Sequence, residues 1–441
     1  MLQTVQKRPH QLFRLWGTVT DVSPGMVKIA GISQVAGIGN EITLTTPDGP
    51  VHGEILSVND ERATALLFRD SDAVRIGDKV EVEREARVTP GDHWLGQIVN
   101  YRGEIVAENP PLPPPGLESR RLHARAPSAH ARKGLGDRLS TGWMITDTIL
   151  PICRGQRLGL FAGSGIGKST FLGGLAGGIE ADRVVIGLIG ERSREVNEFV
   201  TRTLSPETLE RTVVVAATAS EPPGAKKRAA YCAMATAEHF RDEGHQVLLL
   251  FDSITRFAEA HRETALVAGE TPALNAFPPS TVRTIAELAE RAGPGTEAQG
   301  DITAVFSVLV AGSDMEEPVA DMVRGILDGH IIMDRRIADR GRYPAINVLR
   351  SVSRSLPRAA SEDENTLIKE YRRTLSLYEE IAPMLRANLY ERGHDPQGDR
   401  SIDLFPHLDG FVSLKNEHGI PIAFDLLKSL LESGNKPNEA G

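Results

Sequence analysis

Three stretches carry residues whose types and spacing suit phosphate chemistry. The first runs from Leu158 to Phe171. Leu158 to Ala162 is an apolar run that predicts a buried strand. Gly163, Ser164, Gly165, Ile166 and Gly167 form a glycine-rich bend, and Lys168, Ser169 and Thr170 open a predicted helix. Glycines let backbone N–H groups curl toward an anion, and the helix N-terminus adds partial positive charge at the same place. Lys168 is placed to reach the β- and γ-phosphates of a nucleotide, and the Ser169 hydroxyl to hold Mg²⁺. The usual pattern opens with glycine; Ala162 stands there instead, and a small residue still fits. The alternative is a glycine-rich turn with an incidental Gly-Lys-Ser. The strand before it and the helix after it argue for the phosphate loop.

The second stretch, Val247 to Phe251, is apolar and ends in Asp252. A carboxylate at that strand tip, downstream of a phosphate loop, can hold Mg²⁺ through its water shell opposite Ser169. The third, Val184 to Gly190, ends in Glu191 and Arg192. Glu191 there can orient and partly deprotonate an attacking water, and Arg192 can hold phosphate charge. A surface Glu–Arg pair at a charged helix start, Ser193-Arg194-Glu195, is the other reading, and position alone leaves both open.

The elements around these residues predict an α/β chain. From about 143 to 350, apolar runs at 158–162, 184–190, 213–217, 247–251, 303–310 and 330–333 alternate with amphipathic stretches such as Lys226 to Arg241 and Thr281 to Arg291. Such alternation builds a parallel sheet covered by helices on both faces, with ligands beyond the carboxyl ends of the strands. Before it, short β runs are predicted at Gly17–Val22, Met26–Ile29, Glu41–Leu44, Val51–Val58, Thr64–Leu67 and Lys79–Val82, separated by turns such as Pro24-Gly25 and Pro47-Asp48-Gly49. Six short strands imply a small barrel, whose closure removes exposed edges. Few aromatics lie on it, so it is expected to join subunits and not to stack bases. After Pro357 the pattern turns helical: Glu362 to Leu389 and Pro421 to Ser433 read as helices, with Gly393-His394-Asp395-Pro396 and a short apolar segment between. The expected domains are a β-barrel oligomerisation domain over 1–87, a nucleotide-binding domain over 88–356 and a helical domain over 357–441.

The connecting segments are plainer. Residues 108–116 are a proline-rich extended linker. Residues 119–138 are basic, with Arg120, Arg121, His123, Arg125, His130, Arg132, Lys133 and Arg138. A solvated loop is expected there, with contact to an acidic neighbour as the alternative. The first nine residues and the tail after Gly434 are expected to fray. The alternative for the N-terminus, with Lys7, Arg8, His10 and Arg14, is a docking segment for a partner or an anionic membrane surface.

The 441 residues carry a net charge of −9, which argues against a broad nucleic-acid surface. The two cysteines, Cys153 and Cys232, suit buried thiols in a reducing compartment and cannot form a metal cluster. No apolar run approaches the ~20 residues of a membrane helix, and the N-terminus has no signal core. A cytoplasmic protein is expected.

Gly-Glu-Arg-Ser-Arg-Glu at 190–195 resembles the segment that bears the catalytic Glu in rotary ATPase β subunits. Asp252-Ser-Ile-Thr-Arg256-Phe resembles their magnesium-site segment, with Arg256 at the matching place. Tyr343 falls where the catalytic subunit has its adenine-stacking Tyr, and Arg354 where the noncatalytic subunit donates its arginine finger. Both in one chain imply a ring of identical subunits, each site completed by a neighbour. Within this superfamily the chain is most similar to the ATPases of type III protein export, the flagellar branch in particular. The discriminating stretches are Phe161 to Ser169, Phe277-Pro-Pro-Ser280, Arg291-Ala-Gly293, Glu317 to Asp321 and Ile326 to His330.

The resemblance implies a RecA-like phosphate-loop domain between a β-barrel and C-terminal helices, hydrolysing ATP with Mg²⁺. It further implies a cytoplasmic homo-hexamer, peripheral at the inner face of the cytoplasmic membrane, that releases chaperones and unfolds cargo at an export gate. A stator-like regulator, a stalk protein and chaperone–cargo complexes are the implied partners, and nucleic acid is not. The N-terminal tail is shorter than the family leads one to expect, which leaves the mode of stator docking open. Two alternatives share parts of the pattern: a subunit of a rotary ATP synthase or ion-pumping ATPase, and a ring-shaped RNA translocase. The latter needs a base-stacking N-terminal domain and usually a basic balance, and neither is present. A nucleotide-binding subunit without turnover would have no need of Glu191.

Overall fold

A computed structural model describes residues 15–433 apart from 70, 84, 108–109, 111–112, 115, 274–276 and 312–314. The expectations for Lys7, Arg8, His10, Arg14, the last eight residues and part of the 108–116 linker lie outside the described residues.

The six predicted N-terminal strands form, and they close. Leu15–Ser23, Met26–Ala30, Arg62–Leu67, Gly49–Val58, Glu41–Thr46 and Lys79–Glu83 pair antiparallel in that spatial order, and the last pairs back to the first. Alternation of side chains sends Val19, Val27, Ile29, Ile42, Leu44, Ile55, Leu67, Val80 and Val82 into one apolar interior. Gly224, at the start of the helix Pro223–Asp242, lets the barrel approach: a Cβ there would lie 2.7 Å from Leu66 Cδ2. The buried Arg228 of that helix pairs with Glu41 of the barrel and donates 2.9 Å to the Tyr101 carbonyl.

The central sheet has the spatial order Val352–Ser353, Gly329–Ile332, Arg157–Ala162, Asp301–Leu309, Val247–Asp252, Arg183–Glu191, Thr212–Thr218 and Ile98–Val99. All but Val352–Ser353 pair in parallel along this path. A short strand, Gly293–Pro294, pairs antiparallel beside Asp301–Leu309. The strands are near-continuous apolar runs because both faces are covered. Strands Arg157–Ala162, Arg183–Glu191 and Val247–Asp252 lie close together, and the phosphate-chemistry residues stand at their carboxyl ends.

Three helices close the chain: Glu362–Arg386, Pro396–Phe411 and Ile420–Ser433. The first starts on a capping box between Ser361 and Glu364. The second was not expected as a helix; Asp395 caps it through the Gln397 N–H, and Pro396 occupies its first position, where a missing N–H costs nothing. Tyr371, Leu404, Leu408, Phe411, Phe424 and Leu427 share one apolar core with Leu160, Leu172, Ile186 and Leu250 of the central domain. A polar join accompanies it. Fully buried Asp147 accepts from the Thr141 N–H and hydroxyl, both at 2.7 Å, and from Asn416 Nδ2 at 2.6 Å.

The basic segment 119–138 runs largely exposed, as expected of a solvated loop, but several of its cations are anchored to the chain. Arg120 pairs with Asp242 at 2.9 Å, Arg132 donates to the Ala292 carbonyl at 2.9 Å, and Lys133 pairs with Asp301 at 3.0 Å. Arg138 reaches Glu364 at 2.8 Å. These cations answer carbonyl ends and carboxylates within the same chain. No helix among the described residues is long and apolar enough to cross a membrane. Cys153 and Cys232 are free and buried.

Candidate nucleotide site

The Arg157–Ala162 strand ends buried at Ala162, and the chain bends over Gly163 to Gly167 into the helix Lys168–Gly178. Gly165 and Gly167 take φ of +73° and +86°, the left-handed region that glycine enters without strain. Ile166 is 1% exposed and pins the bend to the core. Ser164, Ser169 and Thr170 stay accessible.

Lys168 Nζ ion-pairs with Asp252 and lies 3.6 Å from Glu191 Oε1. Asp252 is 3% exposed, and its Oδ1 also accepts from Ser307 Oγ at 2.5 Å. Glu191 rises from its ordinary value of 4.5 to about 7. Burial is the largest cause, the Asp252 carboxylate the next, and Lys168 opposes both. Gly190, at φ +75°, turns the chain so that Glu191 faces the cleft; a Cβ on it would sit 3.0 Å from Arg256 Cβ. Arg256 pairs with Glu259 at 2.8 Å, and the exposed Arg192 with Glu195 at 3.5 Å.

A cleft of about 800 Å³ opens over these groups, lined by Lys168, Ser169, Glu191, Arg192 and Arg256 among others. That volume suits a nucleotide. Tyr343 lies at the side of the loop: a Cβ on Gly167 would meet its ring at 3.3 Å, and the ring is 48% exposed. Arg354 is not in the cleft. Its N–H donates to the Asp328 carbonyl, and the Asp328 N–H to the Arg157 carbonyl, at the start of the strand whose end carries the loop. Five residues at about 3.3 Å each put it roughly 16 Å from its own loop along the strand.

Two contacts have no counterpart in the sequence reading. Ser307 orients Asp252; a serine inside the 303–310 apolar run was the only sign of it. Arg335 Nη2 donates to the Ser164 carbonyl at 2.5 Å, and no local pattern marks it. Ser169 and Asp252 offer hard oxygen donors, which fit Mg²⁺ carried in on phosphate oxygens. Among the described residues no cluster of three His, Cys, Asp or Glu could hold a metal alone.

A parallel sheet with a glycine-rich loop closing on a lysine, and carboxylates at the two adjacent strand tips, defines a phosphate-loop nucleotide hydrolase domain. The family model described as the ATP synthase alpha/beta family, nucleotide-binding domain, matches residues 142–353, and the T3SS EscN ATPase C-terminal domain matches residues 360–424. The chain is 41% identical over 428 residues to the flagellum-specific ATP synthase of Caulobacter vibrioides, covering 95% of this chain and 96% of that one. It is 38% identical to the SPI-2 type 3 secretion system ATPase of Salmonella typhimurium, covering 90% of each. The assembled ATPase EscN of the enteropathogenic E. coli type III secretion system superposes with a TM-score of 0.86 at 31% identity, over 94% of this chain and all of that one. The chain belongs to the ATPases of flagellar and type III protein export. These relatives support neither the rotary-subunit reading nor the RNA-translocase reading.

Proposed function

We propose that this chain is the ATP-hydrolysing subunit of a flagellar export apparatus, working as a ring of identical copies, each site completed by its neighbour. The observation that carries it is Lys168 set between Glu191 and Asp252 at the foot of an open cleft. The γ-phosphate of ATP draws Lys168 away from Asp252, and the loop N–H groups from Gly163 to Thr170 hold the phosphate oxygens. Ser169 and Asp252 would hold Mg²⁺, which supplies neutralising charge to the phosphates when bound. Water attacks the γ-phosphorus in line, the bond to the β–γ bridging oxygen breaks, and Glu191 takes the proton that the water loses. Arg192 and Arg256 border the phosphates, and Tyr343 offers its exposed ring to the adenine face.

We infer that Arg354 serves the adjoining subunit, a reading supported by its distance from its own loop. The assembled state of EscN supports a ring. EscN has also been solved in complex with its central stalk EscO, which supports a stalk partner here. Chaperone release, cargo unfolding at an export gate, a stator-like regulator and a position at the inner face of the cytoplasmic membrane complete the reading. Flagellar relatives at 41% and 40% identity favour the flagellar branch. Residues 1–87, 88–356 and 357–441 are the working domain divisions, with the barrel as the ring-joining part.

The test is Glu191→Gln. It is expected to bind ATP with wild-type affinity while turnover falls about 10²- to 10⁴-fold. Near-normal turnover would place the base elsewhere.

A further inference from the structure

The carbonyl of Ser164 accepts from Arg335, which is not among the residues lining the cleft, so this carbonyl is drawn away from it. In a planar trans peptide the carbonyl and the following N–H point in opposite directions. Holding the Ser164 carbonyl outward therefore aims the Gly165 N–H inward, toward the place a phosphate would occupy. Gly165, at φ +73°, has no side chain to enforce that orientation by itself.

Arg335 is presented by a short segment with an anchored root. The Met333 N–H donates to the Phe161 carbonyl at 2.8 Å, one residue before the loop begins. Asp334, 4% exposed, caps the helix Arg335–Asp339 through the Arg336 N–H at 2.9 Å and accepts from Asn347 Nδ2 at 3.3 Å. Farther along, the Tyr343 ring rests on Gly167. Arg342 then ties the segment to the C-terminal helices. Its side chain is 9% exposed and donates to the Pro344 carbonyl at 2.6 Å, the Ile346 carbonyl at 2.8 Å and Asp409 Oδ1 at 3.2 Å. Asp409 lies on the helix Pro396–Phe411.

We propose that residues 333–347 form a strap in which Arg335 is a positioning residue for the phosphate loop, and the Arg342–Asp409 pair makes the grip of Arg335 on Ser164 depend on where the C-terminal helices sit. The proposal rests on the reading of the cleft as the ATP site. It adds a route by which whatever engages the C-terminal helices changes nucleotide affinity. A charged hydrogen bond to a backbone carbonyl is strong enough for such an effect, and the strap is contiguous from Phe161 to Asp409.

The experiment measures the dissociation constant for Mg²⁺–ATP, kcat and the unfolding midpoint on the full chain. Arg335→Ala is expected to weaken ATP binding about tenfold. Saturated turnover changes far less, the unfolding midpoint stays at the wild-type value, and Arg335→Lys recovers part of the affinity. Asp409→Asn, which keeps the fold's shape and one acceptor, is expected to weaken binding about threefold in the wild-type background and to add nothing in the Arg335→Ala background. Arg342→Lys provides a second way to loosen the tie should Asp409→Asn lower solubility. Unchanged affinity in Arg335→Ala overturns the positioning role. Additive effects of the two substitutions overturn the tie to the C-terminal helices. Failure of the wild-type chain to bind ATP at all would instead overturn the reading of the cleft.

Discussion

With Glu191 as the proposed base, its environment sets the pH at which the enzyme is expected to work. An ordinary glutamate, at 4.5, is ionised throughout the neutral range, so a base of that kind gives a flat profile. Burial and the Asp252 carboxylate lift Glu191 to about 7 in the nucleotide-free chain. The group is raised, so its proton-accepting form gains population as pH climbs through 7. About 9% is ionised at pH 6 and about 90% at pH 8, a tenfold rise in usable base. The assay is kcat/KM for ATP at saturating Mg²⁺ on the concentrated enzyme between pH 5.5 and 8.5, since kcat/KM reports the free enzyme. It is expected to climb about tenfold per pH unit below 6.5 and to level above 7.5. The same shift makes stability fall as pH rises through 7, because the folded chain holds the proton more tightly than the unfolded one. Glu191→Gln is therefore expected to raise the unfolding midpoint at pH 8 and leave it little changed at pH 4. A flat kcat/KM profile across this range, with ATP bound normally, would refute the placement of the base in a buried, carboxylate-crowded site.

Other expectations follow from geometry. Mixing Arg354→Ala and Glu191→Gln chains, each nearly silent alone, should restore activity, because about a quarter of the interfaces in a random ring pair an intact glutamate with an intact arginine; no recovery would show that Arg354 does not act across subunits. Specific activity of the wild-type chain should fall steeply on dilution, and a flat dilution series would argue for a self-sufficient subunit. Glu238→Ala strands the 2%-exposed Arg291, which it holds at 2.6 and 2.9 Å, and should cost about 3–5 kcal/mol in urea unfolding. Gly178→Ala would place a Cβ 2.1 Å from the Thr141 carbonyl, backbone against backbone, and should cost about 3 kcal/mol; an unchanged midpoint would contradict the packing described.

The barrel was legible almost to the residue because each strand is bounded by turn residues and alternates apolar with polar side chains. The central strands were legible as apolar runs, and their carboxyl tips named Lys168, Glu191 and Asp252. The helix Pro396–Phe411 was not, because Gly398, Pro406 and Gly410 dilute its helical signal while tertiary packing of Leu404, Leu408 and Phe411 sustains it. The anchoring of segment 119–138 escaped the sequence because its partners, at Asp242, Ala292 and Asp301, are more than a hundred residues away, and charge alone does not name a partner. Arg335 escaped for the same reason: its acceptor is a carbonyl, which has no sequence signature. Arg354 was named only through resemblance, and its distance from its own loop is what the structure adds.

The buried carboxylate of Asp147 has a consequence for chimeras. Thr141 serves its Oδ1, but its Oδ2 accepts from Asn416, which arrives from the far end of the chain. A hybrid that takes its C-terminal helices from another export ATPase, as one would build to ask which part chooses cargo, must bring a matching amide to that spot. Without it the hybrid seals an unmatched acceptor inside at a cost of about 1–3 kcal/mol, and a failure to secrete would then report lost stability as readily as cargo choice.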